Sequence, residues 1–249
     1  MKLLTLGTSH GDPTKERFNS SNLLSFATNR YLIDAGVPVN ALLVRHEIEI
    51  SEIKAVFITH MHDDHVGGLR SFIKSYIKRP KPGQHAYIFL PENVIKPLMS
   101  WLSAMHLGDL KGLITFKVVK EGEIYEDDSI KVTAIGTDHI RYAEETITYA
   151  YLIEGEGKKV LFSGDLRNDF KDFPSIALET PIDFCVCETT HYEPEAALPT
   201  LLKAKIDFMC FSHVWDKWST KDGERRLLDF YSQLPYPYAI AHDGDEFDI

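Results

Sequence analysis

A chain of 249 residues, 44% apolar and 11% aromatic, is long enough for one large core and has the composition of a globular protein. Its 37 acidic against 27 basic residues, a formal net charge of −10, disfavour sequence-independent nucleic-acid binding, which relies on Lys and Arg to neutralise phosphates. No apolar run approaches membrane-spanning length, and Met1 to Gly7 lacks the apolar stretch and cleavage site of a signal peptide. We therefore expect a single domain over residues 1–249. Cys185, Cys187 and Cys210 lie in strand-like apolar runs and read as buried free thiols of a cytoplasmic protein.

In chain order, Lys2 to Leu6 and Asn22 to Ala27 read as strands, with a polar loop between them. Arg30 to Ile33 is a third, closed by Asp34-Ala35-Gly36. Val37-Pro38 then opens a helical pattern through about His46. Ala55 to Ile58 is a short apolar run that reads as a buried strand. After Gly68, the residues Leu69, Phe72, Ile73, Tyr76 and Ile77 recur at helical spacing, and Pro80 to Gly83 stops that helix. Ala86 to Leu90 is a strand, and Pro91 to about His106 an amphipathic helix. Ile114 to Val119 and Ile130 to Ile135 read as strands flanking an acidic turn, Glu121 to Asp128, taken as a solvated hairpin. Thr146 to Glu154 and Lys159 to Ser163 read as a hairpin around Gly155-Glu156-Gly157. Asp183 to Cys187, Phe208 to Phe211 and Tyr238 to His242 are the last strands, separated by helices at about Pro194 to Lys203 and Asp222 to Leu234. Strands in two runs with helices interspersed predict an α/β chain of two sheets packed face to face with helices outside.

The chain is organised around Phe57-Ile58-Thr59-His60-Met61-His62-Asp63-Asp64-His65-Val66-Gly67-Gly68. Residues i and i+2 leave an extended chain on one side, so His60 and His62 aim at one point. Asp64 and His65 come after the chain starts to turn and aim at a second. Imidazole and carboxylate are ligands of borderline-soft divalent metals. His139, Asp165 and His213 also stand at predicted strand ends, with His191 and His242 as competing histidines after strands. Seven ligands are too many for one tetrahedral ion and suit two metals. The expected first ion takes His60, His62 and His139, the second takes Asp64, His65 and His213, and Asp165 bridges. Asp34 is read as orienting a ligand and not as binding metal. Two divalent cations against two carboxylates and a hydroxide leave about one positive charge, which attracts an anionic ester.

These residues resemble the metallo-β-lactamase superfamily. His60-Met61-His62-Asp63-Asp64-His65 matches its His-x-His-x-Asp-His signature, and Asp34, His139, Asp165 and His213 match its remaining motifs in order. The resemblance implies an αββα sandwich with a dinuclear, usually zinc, hydrolytic centre; manganese or iron are alternatives. Leu6-Gly7-Thr8-Ser9, Pro13 to Arg17, Asn19-Ser20-Ser21 and Ala241-His242-Asp243-Gly244 are similar to ribonuclease Z, the tRNA 3′-end endonuclease. That family inserts a tRNA-gripping arm between the motifs matching His139 and Asp165, where this chain has only residues 140–164. It also carries a His-Glu-Ala-Thr motif whose histidine assists proton transfer. Here the matching stretch is Cys187-Glu188-Thr189-Thr190, so His191, or else His242, is the expected proton donor, with Glu188 beside it.

The expected function is a metal-dependent hydrolase whose bridging hydroxide attacks a small or cyclic phosphodiester, with Asp64, Asp165 and His191 in catalytic roles. A lactonase or thioesterase on the same centre is the alternative, and tRNA processing ranks below both. The expected partner is a small anionic substrate, with no nucleic acid and no membrane; a homodimer is left open. The helix at 91–106 and the loop at 138–146 are expected to shape the pocket.

Overall fold

The structure, a computed structural model, describes residues 1–27, 29–140 and 145–249. In chain order its strands and helices are β1 (Lys2–Gly7), β2 (Ser21–Ser25), β3 (Arg30–Ile33), α1 (Val39–Arg45), β4 (Ile53–Phe57), α2 (Asp63–Val66), α3 (Leu69–Lys78), β5 (Ala86–Leu90), α4 (Ile95–Ala104) and β6 (Ile114–Val118). They continue with β7 (Gly122–Glu126), β8 (Lys131–Gly136), β9 (Tyr149–Gly155), β10 (Lys158–Phe162), α5 (Ile176–Glu179), β11 (Phe184–Glu188), α6 (Pro194–Leu201), β12 (Met209–Ser212), α7 (Lys221–Tyr231), β13 (Tyr238–Ile240) and β14 (Glu246–Asp248). These residues fall into two compact units. One is Met1–Gly7, Gly11–Val119 and Asp243–Asp248; the other is Thr8–His10, Lys120–His242 and Ile249.

The first unit holds a seven-stranded sheet in the order β14-β1-β2-β3-β4-β5-β6. Pairing is antiparallel from β14 to β3 and parallel from β3 to β6. Leu4, Leu6, Leu23, Leu32, Val56, Ile88 and Leu90 share one core with α1, α3 and α4. The i, i+3, i+4 stripe of α3 supplies Leu69, Phe72, Ile73, Tyr76 and Ile77 to that core. Strand residues of the opposite parity, Leu3, Leu24, Tyr31, Ile33, Ala55, Phe57 and Phe89, are buried too. Near-continuous apolar strands follow from a sheet buried on both faces. Phe72→Ala removes a fully buried ring from the α3 stripe and is expected to cost about 3–5 kcal/mol, read as a lower midpoint in urea denaturation; an unchanged midpoint would contradict the packing.

The second unit repeats the pairing scheme with different residues. Its sheet runs β13-β12-β11-β10-β9-β8-β7, parallel from β13 to β10 and antiparallel from β10 to β7. Leu152, Leu161, Cys185, Cys187, Met209, Phe211 and Ile240 pack with α5, α6 and α7 in a second core. All three cysteines are free and buried. Among the described residues no helix is long and apolar enough to cross a membrane.

Two expectations need correction. Residues Glu121 to Asp128 are not a turn joining the flanking strands. Ile114–Val118 pairs with β5 in the first sheet, while Gly122–Glu126 forms β7 and pairs with β8 in the second. Glu123 and Glu126 are exposed on an edge strand, where charge protects an open ladder and hides the strand pattern. The helix expected from Pro91 begins only at Ile95, so that Pro97 falls in its first turn, where no intrahelical N–H bond is lost. Of the loop expected at 138–146, residues 141–144 lie outside the described residues.

Candidate metal centre

In the first unit, His60 and His62 leave the end of β4, and Asp64 and His65 lie on the single turn α2. His60 Nε2 and His62 Nδ1 are 2.9 Å apart. Two ring nitrogens at that separation share either one hydrogen or one cation. His65 Nε2 lies 3.2 Å from Asp64 Oδ2. Asp34 stands behind them, buried, just past β3. Its Oδ1 accepts from the Thr59 backbone N–H at 2.8 Å and from the Thr59 hydroxyl at 3.0 Å, and its Oδ2 lies 2.8 Å from His65 Nδ1. A hydrogen held on Nδ1 leaves the His65 lone pair on Nε2, beside the Asp64 oxygen.

The backbone explains how Asp34 reaches that place. It sits at φ +60°, a left-handed conformation that Asp tolerates better than most residues. This turns the chain so that the Ala35 N–H donates to the His65 carbonyl at 2.7 Å and the Gly68 N–H to the Ala35 carbonyl at 2.8 Å. Gly36 is needed for the approach: a Cβ there would stand 2.2 Å from the Asp64 carbonyl oxygen.

In the second unit, His139 follows β8, Asp165 follows β10, Glu188 ends β11 with His191 three residues on, and His213 follows β12. Asp165 is buried among three imidazoles. Its Oδ2 is 3.8 Å from His139 Nε2 and 3.6 Å from His191 Nδ1, and its Oδ1 is 3.7 Å from His213 Nε2. These separations are too long for hydrogen bonds. Bonds of about 2.0–2.2 Å in a tetrahedral array put ligand atoms about 3.4 Å apart, so the spacing approaches that of donors around a cation.

The far ring nitrogens are held as the near ones require. His139 Nδ1 faces the Leu166 carbonyl at 3.4 Å. His213 Nδ1 faces the Thr190 hydroxyl oxygen at 3.1 Å, and that hydroxyl donates to the His213 carbonyl, so the ring nitrogen is the donor. Both histidines then turn an Nε2 lone pair toward Asp165.

Glu188 is arranged differently. Its buried carboxylate accepts the backbone N–H groups of Leu166, Thr190 and His191 at 2.8–2.9 Å, and both of its oxygens lie 3.1 Å from His191 Nδ1. His191 is therefore oriented by a carboxylate and keeps a partly exposed ring. Cys187, in the place of the ribonuclease Z histidine, lies 3.4 Å from the Tyr192 hydroxyl. Burial pushes the thiol up to about 12 and the Tyr192 hydroxyl well above its ordinary value. Both stay neutral and serve packing. His242 is exposed, its Nε2 2.9 Å from Glu224 on α7, whereas His213 is the histidine beside Asp165.

Sequence reasoning missed Thr59 and Thr190, which hold Asp34 and His213 in place. Each is a threonine directly before or near a candidate ligand, but nothing in its neighbours marks which atom it will meet. The donor sets, hard carboxylate oxygens with imidazole nitrogens, are those that bind divalent metal ions.

The chain is similar to known proteins over most of its length. A family model described as Anti-Pycsar protein Apyc1 matches residues 1–233. A curated ribonuclease Z from Listeria monocytogenes is 32% identical over 144 residues, covering 56% of this chain and 46% of that protein. The chain thus spans about half the length of the curated relatives it matches. Among solved structures, the Bacillus subtilis metallo-beta-lactamase fold protein YhfI superposes with a TM-score of 0.79 at 17% identity, over 99% of each chain. The short form of human tRNase Z gives 0.78 at 16%, over 100% of this chain and 99% of that one. At these identities the structures show the fold alone, the metallo-β-lactamase fold expected from the sequence. On the match to residues 1–233, the chain belongs to the Anti-Pycsar protein Apyc1 family.

Proposed function

We propose that this chain is a metal-dependent phosphodiesterase acting on small or cyclic phosphodiesters. Divalent cations, zinc in the simplest case, would be held by His60, His62, Asp64 and His65 of the first unit and by His139, Asp165 and His213 of the second. The observation that carries the reading is Asp165, which offers one carboxylate oxygen toward His139 Nε2 and the other toward His213 Nε2. A buried carboxylate that offers its oxygens toward two imidazole lone pairs would serve as a shared ligand to divalent metal. Bound at these residues, divalent cations supply an acidified water and a Lewis acid for the oxygen on which charge develops.

The chain's own residues do the rest. Asp34 and Thr190 fix which nitrogen of His65 and of His213 carries the hydrogen. Two carboxylates among neutral imidazoles leave the loaded site positive, which draws an anionic ester and disfavours a neutral one. Glu188 holds the Nδ1–H of His191, so that Nε2–H can pass to the leaving oxygen as the ester bond breaks. A small substrate is favoured over tRNA by the segment before Asp165, where β9 and β10 pair as a tight hairpin across Glu156 and Gly157. The net charge of −10 points the same way.

Purified protein with zinc or manganese is expected to hydrolyse bis-p-nitrophenyl phosphate and to leave a precursor tRNA uncut. Turnover of lactones or thioesters without turnover of the phosphodiester would overturn the choice of phosphorus over carbonyl.

A further inference from the structure

Between β10 and α5 the chain runs Arg167-Asn168-Asp169-Phe170-Lys171-Asp172-Phe173-Pro174. Two aromatics anchor this segment. Phe170 and Phe173 are buried in the second core and stack at 4.8 Å, and Phe170 meets Tyr192 edge-on at 4.5 Å. The Tyr192 hydroxyl in turn donates to the Glu188 carbonyl, so the anchor continues into the end of β11. Phe170 takes φ +57°, which reverses the chain and sets Asp172 between the two rings in sequence.

Asp172 then does something unusual for a loop acid: it ties two strand ends together. Its Oδ2 accepts the backbone N–H of Asp138 at 2.9 Å, and the Arg167 N–H is shared between Oδ1 at 2.9 Å and Oδ2 at 3.1 Å. Asp138 directly precedes His139, and Arg167 is two residues past Asp165. A second tie joins the same loops, because the Arg167 guanidinium donates to Asp138 Oδ2 at 2.6 Å and to both oxygens of Asp169 at 2.9 Å. The Nδ1 of His139 meanwhile faces the Leu166 carbonyl, next to Arg167. The Asp172 bonds, the Arg167–Asp138 pair and the His139–Leu166 contact thus all join the loop of His139 to that of Asp165.

We propose that Asp172 is a positioning residue that fixes the His139 and Asp165 loops against each other as metal donors, an inference that rests on the metal-dependent reading above. Both backbone groups are donors, and the carboxylate meets them with acceptors only, Oδ1 supplying the shorter bond to Arg167. In Asp172→Asn one oxygen becomes an amide NH2, so the remaining oxygen must hold both N–H groups and the Arg167 loop keeps only the longer bond. Asp172→Glu keeps both acceptors but displaces them by one methylene. Glu195→Gln removes the same charge from the exposed side of α6, away from either loop.

The test is zinc affinity and stoichiometry by chelator competition on the full chain, with melting of the metal-free proteins alongside. Wild type is expected to take up zinc. Asp172→Asn is expected to bind it about 10- to 100-fold more weakly, Asp172→Glu about 4- to 10-fold more weakly, and Glu195→Gln within about threefold of wild type. A purely structural role would lower the melting temperature and leave zinc affinity in the folded protein alone. Asp172→Asn and Asp172→Glu both within about threefold of wild type would overturn the positioning role and leave the functional reading standing. If Asp172→Asn does not fold, the Glu variant decides alone. A wild-type chain that takes up no zinc, manganese or iron would overturn the functional reading, and this inference with it.

Discussion

Asp165→Ala is expected to abolish hydrolysis of bis-p-nitrophenyl phosphate, by about a thousandfold or more, and to lower the bound metal together with the rate. The size follows from what the residue faces. Three imidazoles lie 3.6–3.8 Å from its two oxygens, and it is the buried carboxylate of that group. Without it, His139 and His213 lose the shared anion, and the charge of a cation held there would no longer be offset. His62→Ala is expected to act in the same direction on the other donor set, since it takes away the ring that meets His60 Nε2 at 2.9 Å. Metal content by emission spectroscopy and initial rates on the same samples check both variants. Full metal stoichiometry in Asp165→Ala, with activity lost, would assign Asp165 to proton transfer and not to metal binding.

How far this site was legible in the sequence depends on what kind of contact each residue makes. His60, His62, Asp64 and His65 are readable because ligands of one loop sit at fixed offsets, and the i, i+2 rule places the first two. The strand ends carrying His139, Asp165 and His213 are readable as apolar runs that stop at a titratable residue. The helices α3 and α7 are readable from periodicity, and α7 also from Thr220, whose hydroxyl accepts the Gly223 N–H at 3.0 Å. Two of the edge strands were not. Both β7 and β14 are short and carry exposed acids, Glu123 and Glu126 in one, Glu246 and Asp248 in the other, so neither shows a buried face. Thr190 and Asp172 fail for a different reason. Their partners are a ring nitrogen and two backbone N–H groups that chain folding brings near, and a backbone donor leaves no mark in the sequence.

His191→Gln should keep its metal and lose rate in proportion to how poor the leaving group is. His191 lies within reach of Asp165, and by distance alone it can be read as a third nitrogen donor beside His213. The pattern of its hydrogen bonds argues otherwise. Both Glu188 oxygens lie 3.1 Å from Nδ1, and Glu188 is itself fixed by three backbone N–H groups, so Nδ1 holds a hydrogen and offers no lone pair to a cation. A histidine steadied in this way can move a proton at Nε2, a role worth about 10²–10⁴-fold when the departing oxygen needs protonation. On an alkyl phosphodiester the variant is therefore expected to lose a factor in that range. On bis-p-nitrophenyl phosphate, whose nitrophenolate leaves without a proton, the loss should be under about tenfold. Equal losses on both substrates together with a drop in metal content would make His191 a ligand, and the proton would then have to come from another group.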